Sequence, residues 1–268
     1  MSRTVMITGA AGGLGGALAE EFRAQGDHLV LTDRSSELSA FHASSTEELI
    51  SADLCDSDDL QRLCARLESG EPAIDLLINN AGIGVPGSVS TLDDALLTKH
   101  IDINLTAPMR LCQAAARGML SRGKGQIFNI VSLAGLFPLK DSAAYTASKF
   151  GLRGFTAALA LELTPHGINV GGLYPSAIDT PMLREEMSHP DGSPLNFAGN
   201  ADPLSAEETA KRVMDALASG DLETWLPKGE GRMASLIMAF PKSLQRVFRY
   251  METQGNKKKQ AFLASLQS

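Results

Sequence analysis

The sequence predicts a doubly wound α/β fold, a parallel sheet covered by helices on both faces, followed by an amphipathic helical extension. Three observations predict it. Short apolar runs such as Val5-Met6-Ile7 and Leu29-Val30-Leu31 suit strands buried on both faces. They alternate with segments whose apolar residues recur at helical spacing. The first run leads at once into a glycine-rich turn and then a helix. No repeat, low-complexity tract or linker divides the chain, so residues 1–226 are expected to form one domain and 227–268 an extension packed on it or on a partner surface.

The bulk properties narrow the function classes. The chain has 268 residues and a net charge of −7, which argues against nucleic acid as its main partner. With 44% hydrophobic and 21% charged residues, it reads as a soluble globular protein. The three cysteines, Cys55, Cys64 and Cys112, have no metal spacing, and neither do the histidines at 28, 42, 100, 166 and 189, so no metal is expected. An odd cysteine count suits a reducing compartment, and a first strand opening at Val5 leaves no room for a signal peptide, so the expected location is the cytoplasm. The apolar run Met233 to Phe240 is too short to span a bilayer.

Taken in order, the first strand ends in Thr8-Gly9-Ala10-Ala11-Gly12-Gly13-Leu14-Gly15, and a helix follows from about Gly16 to Ala24. Strand, glycine turn and helix are the setting of a dinucleotide site. Gly9 permits the tight turn, while Gly13 and Gly15 let backbone approach a pyrophosphate at the helix N-terminus. A flexible turn without ligand is the plain alternative. The second strand ends at Thr32-Asp33-Arg34. A carboxylate about twenty residues beyond the turn can bind the adenosine ribose hydroxyls and repel a 2′-phosphate. Asp33 therefore favours NAD over NADP, although Arg34 could pair with that phosphate and Asp33 could serve only as a strand-end cap.

Leu49-Ile50 leads to Asp53-Leu54, which a strand end would bring near the adenine. Asp56 or Ser57 caps a helix with Leu60, Leu63, Cys64 and Leu67 on one face. Ile74–Ile78 is a strand ending in Asn79-Asn80-Ala81-Gly82, where two amides and a glycine suit close approach to a ligand; a plain loop is the rival. A helical stretch from about Leu92 to Met119 is expected to be interrupted near Pro108, with Asn104 free to satisfy the backbone groups that a proline releases. Ile127–Val131 then delivers Ser132 to the carboxyl end of the sheet, where ligands bind in such folds. Ile168-Asn169-Val170 leads into Tyr174–Pro181, residues 182–204 read as a loop over the pocket, and Ser205-Ala206-Glu207-Glu208 is a capping box opening a helix that ends near Gly220. Trp225-Leu226 belongs to a short last strand.

Tyr145 and Lys149 carry the chemistry. Four residues apart on a helix, they share a face. A nearby ammonium favours the phenolate and would draw the phenol's pKa down toward the working range. Tyr-x-x-x-Lys by itself is a weak signal.

Together with Thr8-Gly9-x-x-x-Gly13-Leu14-Gly15, Asn79-Asn80-Ala81-Gly82, Asn104 and Ser132, however, the order and spacing resemble the short-chain dehydrogenase/reductase family over roughly residues 3 to 226. The resemblance implies a Rossmann-type catalytic domain, an NAD cofactor with NADP as the alternative, and a tetrad of Asn104, Ser132, Tyr145 and Lys149. In it, Ser132 would position the substrate oxygen, Tyr145 would serve as acid and base, and Lys149 would bind the nicotinamide ribose. Asn104 would hold a relay water. It also implies cofactor contacts from Asn80, Ala81, Gly82, Pro175 and Thr180. Two positions depart from the family pattern: Ser176 stands where glycine usually follows Pro175, and Gly12 where serine is common.

The implied reaction interconverts a secondary alcohol and a ketone. Leu133, Leu136, Phe137, Leu139, Met182, Leu183 and Met187 are candidate pocket residues and suggest a hydrophobic substrate. A catalytically silent nicotinamide-binding regulator or scaffold is the alternative, though it would have no need of Ser132, Tyr145 and Lys149 together. Small residues at Ala157, Ala158 and Ala160, with the resemblance, imply a homodimer or homotetramer. In the extension, Met233, Leu236, Ile237, Phe240, Leu244, Val247, Phe248 and Met251 form an amphipathic stripe expected to break at Pro241. Residues 241–259 hold six basic residues and one acidic, so the helix either covers the pocket or a subunit contact, or lies on an anionic membrane.

Overall fold

The computed structural model describes residues 2–38, 47–189, 191–197, 202–240, 242 and 244–265. Its strands are β1 (Thr4–Thr8), β2 (His28–Asp33), β3 (Glu47–Ser51), β4 (Leu76–Asn79), β5 (Gly125–Ile130), β6 (Ile168–Pro175) and β7 (Glu223–Leu226). They form one sheet in the order β3-β2-β1-β4-β5-β6-β7, every neighbouring pair parallel. The strand order reverses between β1 and β4, which leaves a crevice at the carboxyl ends of those two strands. The helices are α1 (Gly13–Ala24), α2 (Ser35–Leu38), α3 (Ser57–Ser69), α4 (Asp94–Ile101), α5 (Ala107–Arg122), α6 (Ala143–Leu163), α7 (Pro181–Ser188), α8 (Ala206–Ser219), α9 (Lys228–Ala239) and α10 (Leu244–Ser265).

The pleat divides each apolar run between two layers. Val5, Ile7, Leu29, Leu31, Leu76 and Ile78 pack on one side against Leu14, Leu18 and Phe22 of α1 and Ala210, Val213 and Leu217 of α8. Met6, Val30, Leu77 and Ile127 face the other way, onto Leu60, Leu63 and Leu67 of α3, Leu111 and Ala115 of α5, and Leu159 and Leu163 of α6. A strand flanked by water could not use consecutive apolar residues in this way.

Two segments differ from the sequence expectation. Residues 182–204 are not a plain loop: α7 runs to Ser188, and a single 3₁₀ turn covers Pro194–Phe197. The helix starts because the Thr180 hydroxyl accepts from Leu183 N at 3.4 Å, Pro181 supplies the helical φ, and Leu183 and Met187 bury one face. The interruption before Pro108 is a π-helical turn at Asp102–Thr106 that joins α4 to α5. Pro108 has no N–H to offer the carbonyl of Asn104 four residues earlier, and Ala107 N reaches back to Asp102 O across the widened turn. The Asn104 side chain does not repair that gap. It turns outward from the helix instead, as described below.

The extension lies against the domain. The rings of Phe248 on α10 and Phe137 stack at 5.0 Å, Lys140 Nζ meets Glu252 at 2.8 Å, and buried Lys259 donates to the Gly192 carbonyl at 2.7 Å. Only part of the apolar stripe turns inward: Ile237, Phe248 and Met251 pack on the domain, whereas Leu236 and Phe240 are each 64% exposed. α9 ends at Ala239 and α10 begins at Leu244, while Pro241 itself lies outside the described residues, as does His42. Among the described residues, no helix is long and apolar enough to cross a membrane.

A buried chain of polar side chains ties α6 to the sheet. Asn79 Nδ2 donates to Asn129 Oδ1 at 2.9 Å, Asn129 Nδ2 donates to Thr156 Oγ1 at 2.8 Å, and Thr156 Oγ1 donates to the Leu152 carbonyl at 2.7 Å. Asn79, Asn129 and Thr156 are all but inaccessible, so each bond lost leaves a group that water cannot reach. Asn129→Ala is expected to cost about 2–4 kcal/mol, combining the two buried hydrogen bonds lost to Asn79 and Thr156 with a small cavity. Urea unfolding would register it as a lowered midpoint with an unchanged slope. A loss under about 0.5 kcal/mol would mean the chain is not a stabilising anchor.

Candidate active site

The crevice at the strand ends opens into a cavity of about 680 Å³. Its floor is the turn after β1. Gly9 sits there at φ 66°, in the left-handed region. A methyl group on Gly15 would lie 2.0 Å from the Gly9 carbonyl, so the turn closes only around a glycine. α1 starts with Gly12 as N-cap and has no acidic residue in its first turn, which leaves the positive end of the helix facing the cavity without a carboxylate of its own. From β4, the Asn80 amide donates to the carbonyls of Thr8 and Gly9 at 3.0 Å each, and Thr8 Oγ1 accepts from the backbone of Asn80 and Ala81. The amides at the end of β4 thus hold the turn of β1 in shape. The structure uses Asn80 as a brace.

Asp33, at the end of β2, accepts from Ala11 N at 3.0 Å through Oδ2 and from Arg34 N at 2.8 Å through Oδ1. Its carboxylate is thereby fixed beside the turn, and Arg34 is exposed next to it. Asp53 and Leu54 line the same end of the cavity, with Asp53 Oδ1 accepting from Cys55 N. Pro175 and Thr180 close the opposite side. A methyl on Gly13 would approach Thr180 Cγ2 to 2.9 Å, so the segment after β6 lies directly against the turn. Ser176 has an ordinary backbone: Asp141 is the one non-glycine residue with positive φ among the described residues.

Ser132, Tyr145 and Lys149 share the cavity with this turn. Ser132 ends the run out of β5, and its Oγ accepts from Ala134 N at 3.0 Å. Lys149 is buried, and its ammonium donates to the Ile130 carbonyl at 3.1 Å and stands 5.7 Å from the centre of the Tyr145 ring. Burial pushes the Tyr145 phenol up to about 12; a hydrogen bond with Ser132 opposes the rise, and the charge of Glu186 adds to it. Burial pushes Lys149 down to about 8. This is the reverse of the sequence expectation for the phenol. Removing both groups from water favours the neutral forms, and at this separation desolvation outweighs the attraction between charges.

Asn104 does not line the cavity. It is fully buried one layer behind, where Oδ1 accepts from Ile83 N at 2.8 Å and Nδ2 donates to the Ile83 carbonyl at 2.9 Å and to Ser148 Oγ at 3.2 Å. A methyl on Gly82 would lie 3.1 Å from Asn104 Oδ1 and 3.7 Å from Lys149 Nζ, so the two side chains flank one gap. Of the expected pocket residues, Leu133, Phe137, Leu139, Met182 and Leu183 line the cavity, whereas Leu136 and Met187 are core. Sequence reasoning missed Glu186 and Asn196; of the stripe that it expected to cover the pocket, a subunit contact or a membrane, Met233, Ile237 and Met251 line the cavity. Nothing local marks these as pocket residues, because they reach it through the packing of α7, α9 and α10.

The residues present fit a dinucleotide: a backbone turn at a helix N-terminus, a fixed carboxylate at one end, and a phenol and ammonium at the other. The comparisons agree with that geometry. The family model for short chain dehydrogenases matches residues 3–191. Oxidoreductase UcpA of Salmonella typhimurium is 31% identical over 242 residues, covering 85% of this chain and 88% of that protein. An NAD-dependent glycerol dehydrogenase of Listeria innocua is 30% identical over 181 residues, 66% of this chain and 71% of its own. A short-chain dehydrogenase from Sphingobium yanoikuyae, solved in complex with NADPH, superposes with a TM-score of 0.77 at 29% identity, covering 91% of this chain and 95% of the other. From its seven-stranded parallel sheet to its matched residues, the chain belongs to the short-chain dehydrogenase family of nicotinamide-dependent oxidoreductases.

Proposed function

We propose that this chain interconverts a secondary alcohol and a ketone, with NAD preferred over NADP and a hydrophobic substrate. The observation that supports it most is the meeting of Ser132, Tyr145 and Lys149 in one cavity with the glycine turn. A bound nicotinamide supplies or accepts the hydride. Everything else falls to the chain. The Ser132 hydroxyl donates to the substrate oxygen and fixes it beside the phenol. Tyr145 gives that oxygen a proton in reduction and removes one in oxidation. Lys149 binds the nicotinamide ribose and lends positive charge to the phenolate when it forms. Asn104 holds a relay water through its backbone carbonyl, its side chain being committed to Ile83.

For the dinucleotide, Gly9, Gly13, Leu14 and Gly15 present the phosphate-binding backbone. Asp33 takes the ribose hydroxyls, and its carboxylate excludes a 2′-phosphate more strongly than exposed Arg34 attracts one. Asp53 and Leu54 flank the adenine, Ala81 and Gly82 the ribose, and Pro175 and Thr180 the nicotinamide. The substrate side is mostly apolar, with Phe137, Leu139, Met182, Leu195, Ile237 and Met251 on the wall, in keeping with a bulky alcohol or ketone. The exposed α6 positions Ala158 and Leu161, the latter 81% exposed, support a homodimer or homotetramer through that helix.

Tyr145→Phe is expected to lower kcat about 10²- to 10⁴-fold while leaving NADH affinity within a factor of two, because the acid/base group alone is removed. Stopped-flow single turnovers and NADH fluorescence titration read the two quantities. Residual turnover above a tenth of wild type would contradict the role. Asp33→Ala should weaken NADH binding about tenfold and improve NADPH relative to it, since a charge-assisted bond goes together with the repulsion; unchanged selectivity would take the ribose away from Asp33.

The pH dependence has a definite sign. A phenol held above its usual value is protonated at neutral pH, so oxidation, which needs the phenolate, should rise about tenfold per pH unit through the neutral range. Reduction, which needs the phenol, should stay flat there and fall only at alkaline pH. Steady-state kcat/KM in both directions tests this. Parallel profiles would refute a shared acid/base.

A further inference from the structure

The cavity wall opposite the glycine turn is mostly apolar, its polar side chains being Glu185, Glu186, His189 and Asn196 in and after α7 and Glu230 on α9. Glu186 Oε1 accepts from Asn196 Nδ2 at 2.6 Å, while Oε2 has no hydrogen-bond partner among the described residues. A methyl on Gly84 would lie 3.7 Å from Glu186 Oε2 and 3.9 Å from Tyr145 Cε2, so the carboxylate oxygen and the phenol ring border the same space. The extension holds this wall in place: Lys259 of α10 bonds the Gly192 carbonyl at 2.7 Å, and Gly255 meets the Pro194 carbonyl so closely that a methyl there would stand 2.0 Å from it. Burying a carboxylate in this wall penalises its charged form. It pushes the Glu186 carboxyl up to about 7, with Asn196 and the charge of Lys259 opposing the rise. A residue there for packing alone would do better as leucine or methionine.

We propose that Glu186 is a specificity residue whose cavity-facing oxygen receives a hydrogen-bond donor, a hydroxyl or ammonium group, carried by the substrate close to its carbinol carbon. The substrate class is then a 1,2-diol or a vicinal amino alcohol with an apolar remainder, and the corresponding ketone. The apolar wall takes the remainder, Tyr145 takes the reacting oxygen, and Glu186 reads the neighbouring group. This inference rests on Tyr145 as the acid/base. Its test therefore includes binding as well as turnover.

Calorimetric titration at pH 8, where Glu186 is mostly ionised, would compare 1-phenylethanol, 1-phenyl-1,2-ethanediol and 2-amino-1-phenylethanol on the NADH-bound protein, in wild type, Glu186→Gln and Glu186→Leu. Wild type is expected to prefer the amino alcohol over 1-phenylethanol by about 10- to 100-fold, the range of a hydrogen bond to a charged group. Glu186→Gln keeps the Asn196 contact and should retain the diol while losing most of the amino-alcohol preference. Glu186→Leu should lose both and bind 1-phenylethanol at least as well as wild type. Absence of any preference in wild type, or a preference that survives both substitutions, overturns the proposal. Circular dichroism establishes that the variants are folded. Turnover is read separately with NAD: binding that follows the predicted order without oxidation keeps the Glu186 assignment and removes the alcohol dehydrogenase reading.

Discussion

The site depends on how α6 crosses β5. Tyr145 and Lys149 must both reach the end of the sheet, and a long helix on a flat apolar layer could slide or rotate by a residue at little cost. The buried bonds from Asn79 through Asn129 to Thr156 remove that freedom, because a slip would strand several polar groups away from water. About two turns earlier on α6, the Lys149 ammonium docks on the Ile130 carbonyl, and a methyl on Gly135 would come within 2.9 Å of the Lys149 carbonyl. Polar pinning in the core and close backbone contact at the rim thus set one register. Tyr145 inherits its position from both.

A second constraint couples the first strand to the fourth. Asn80 and Thr8 exchange side-chain and backbone bonds across the crevice, so the glycine turn is held by the strand beside it. The cavity is therefore built from elements that cannot move independently on its cofactor side. The opposite wall is different in kind. α7, the turn at Pro194–Phe197 and α10 hold each other through Glu186–Asn196, Lys259–Gly192 and the approach of Gly255 to Pro194. One wall is fixed by the sheet, and the other by a helix from the end of the chain. This division suits a protein in which a common chemistry meets a particular substrate.

Burial acts in opposite directions on Tyr145 and Lys149. It holds the phenol protonated and lowers the ammonium toward neutrality. A neutral phenol beside an ammonium of lowered pKa is a resting state that a bound dinucleotide and substrate would have to polarise. Any phosphate or carbinol oxygen entering the site changes that balance, so the pKa values that matter in turnover belong to the complex.

The sequence by itself determined the architecture and the glycine-turn side of the cavity. Those features are local: a buried strand shows as an uninterrupted apolar run, the turn as glycines at fixed spacing, and Tyr145 and Lys149 as neighbours on one helical face. The same locality explains what went astray. α7 was hidden because the Met, Pro, Gly and Asn content of residues 182–204 reads as a loop, although Thr180 and Pro181 together open a helix. Asn104 was legible as a key residue, but its partners at Ile83 and Ser148 lie 21 and 44 positions away, and no local pattern ties them together. Only the tertiary structure decided that desolvation governs Tyr145, that the extension completes the pocket, and that Glu186 faces the phenol. Each of those follows from which surfaces meet in space, and a charge's surroundings are set by residues distant in the chain.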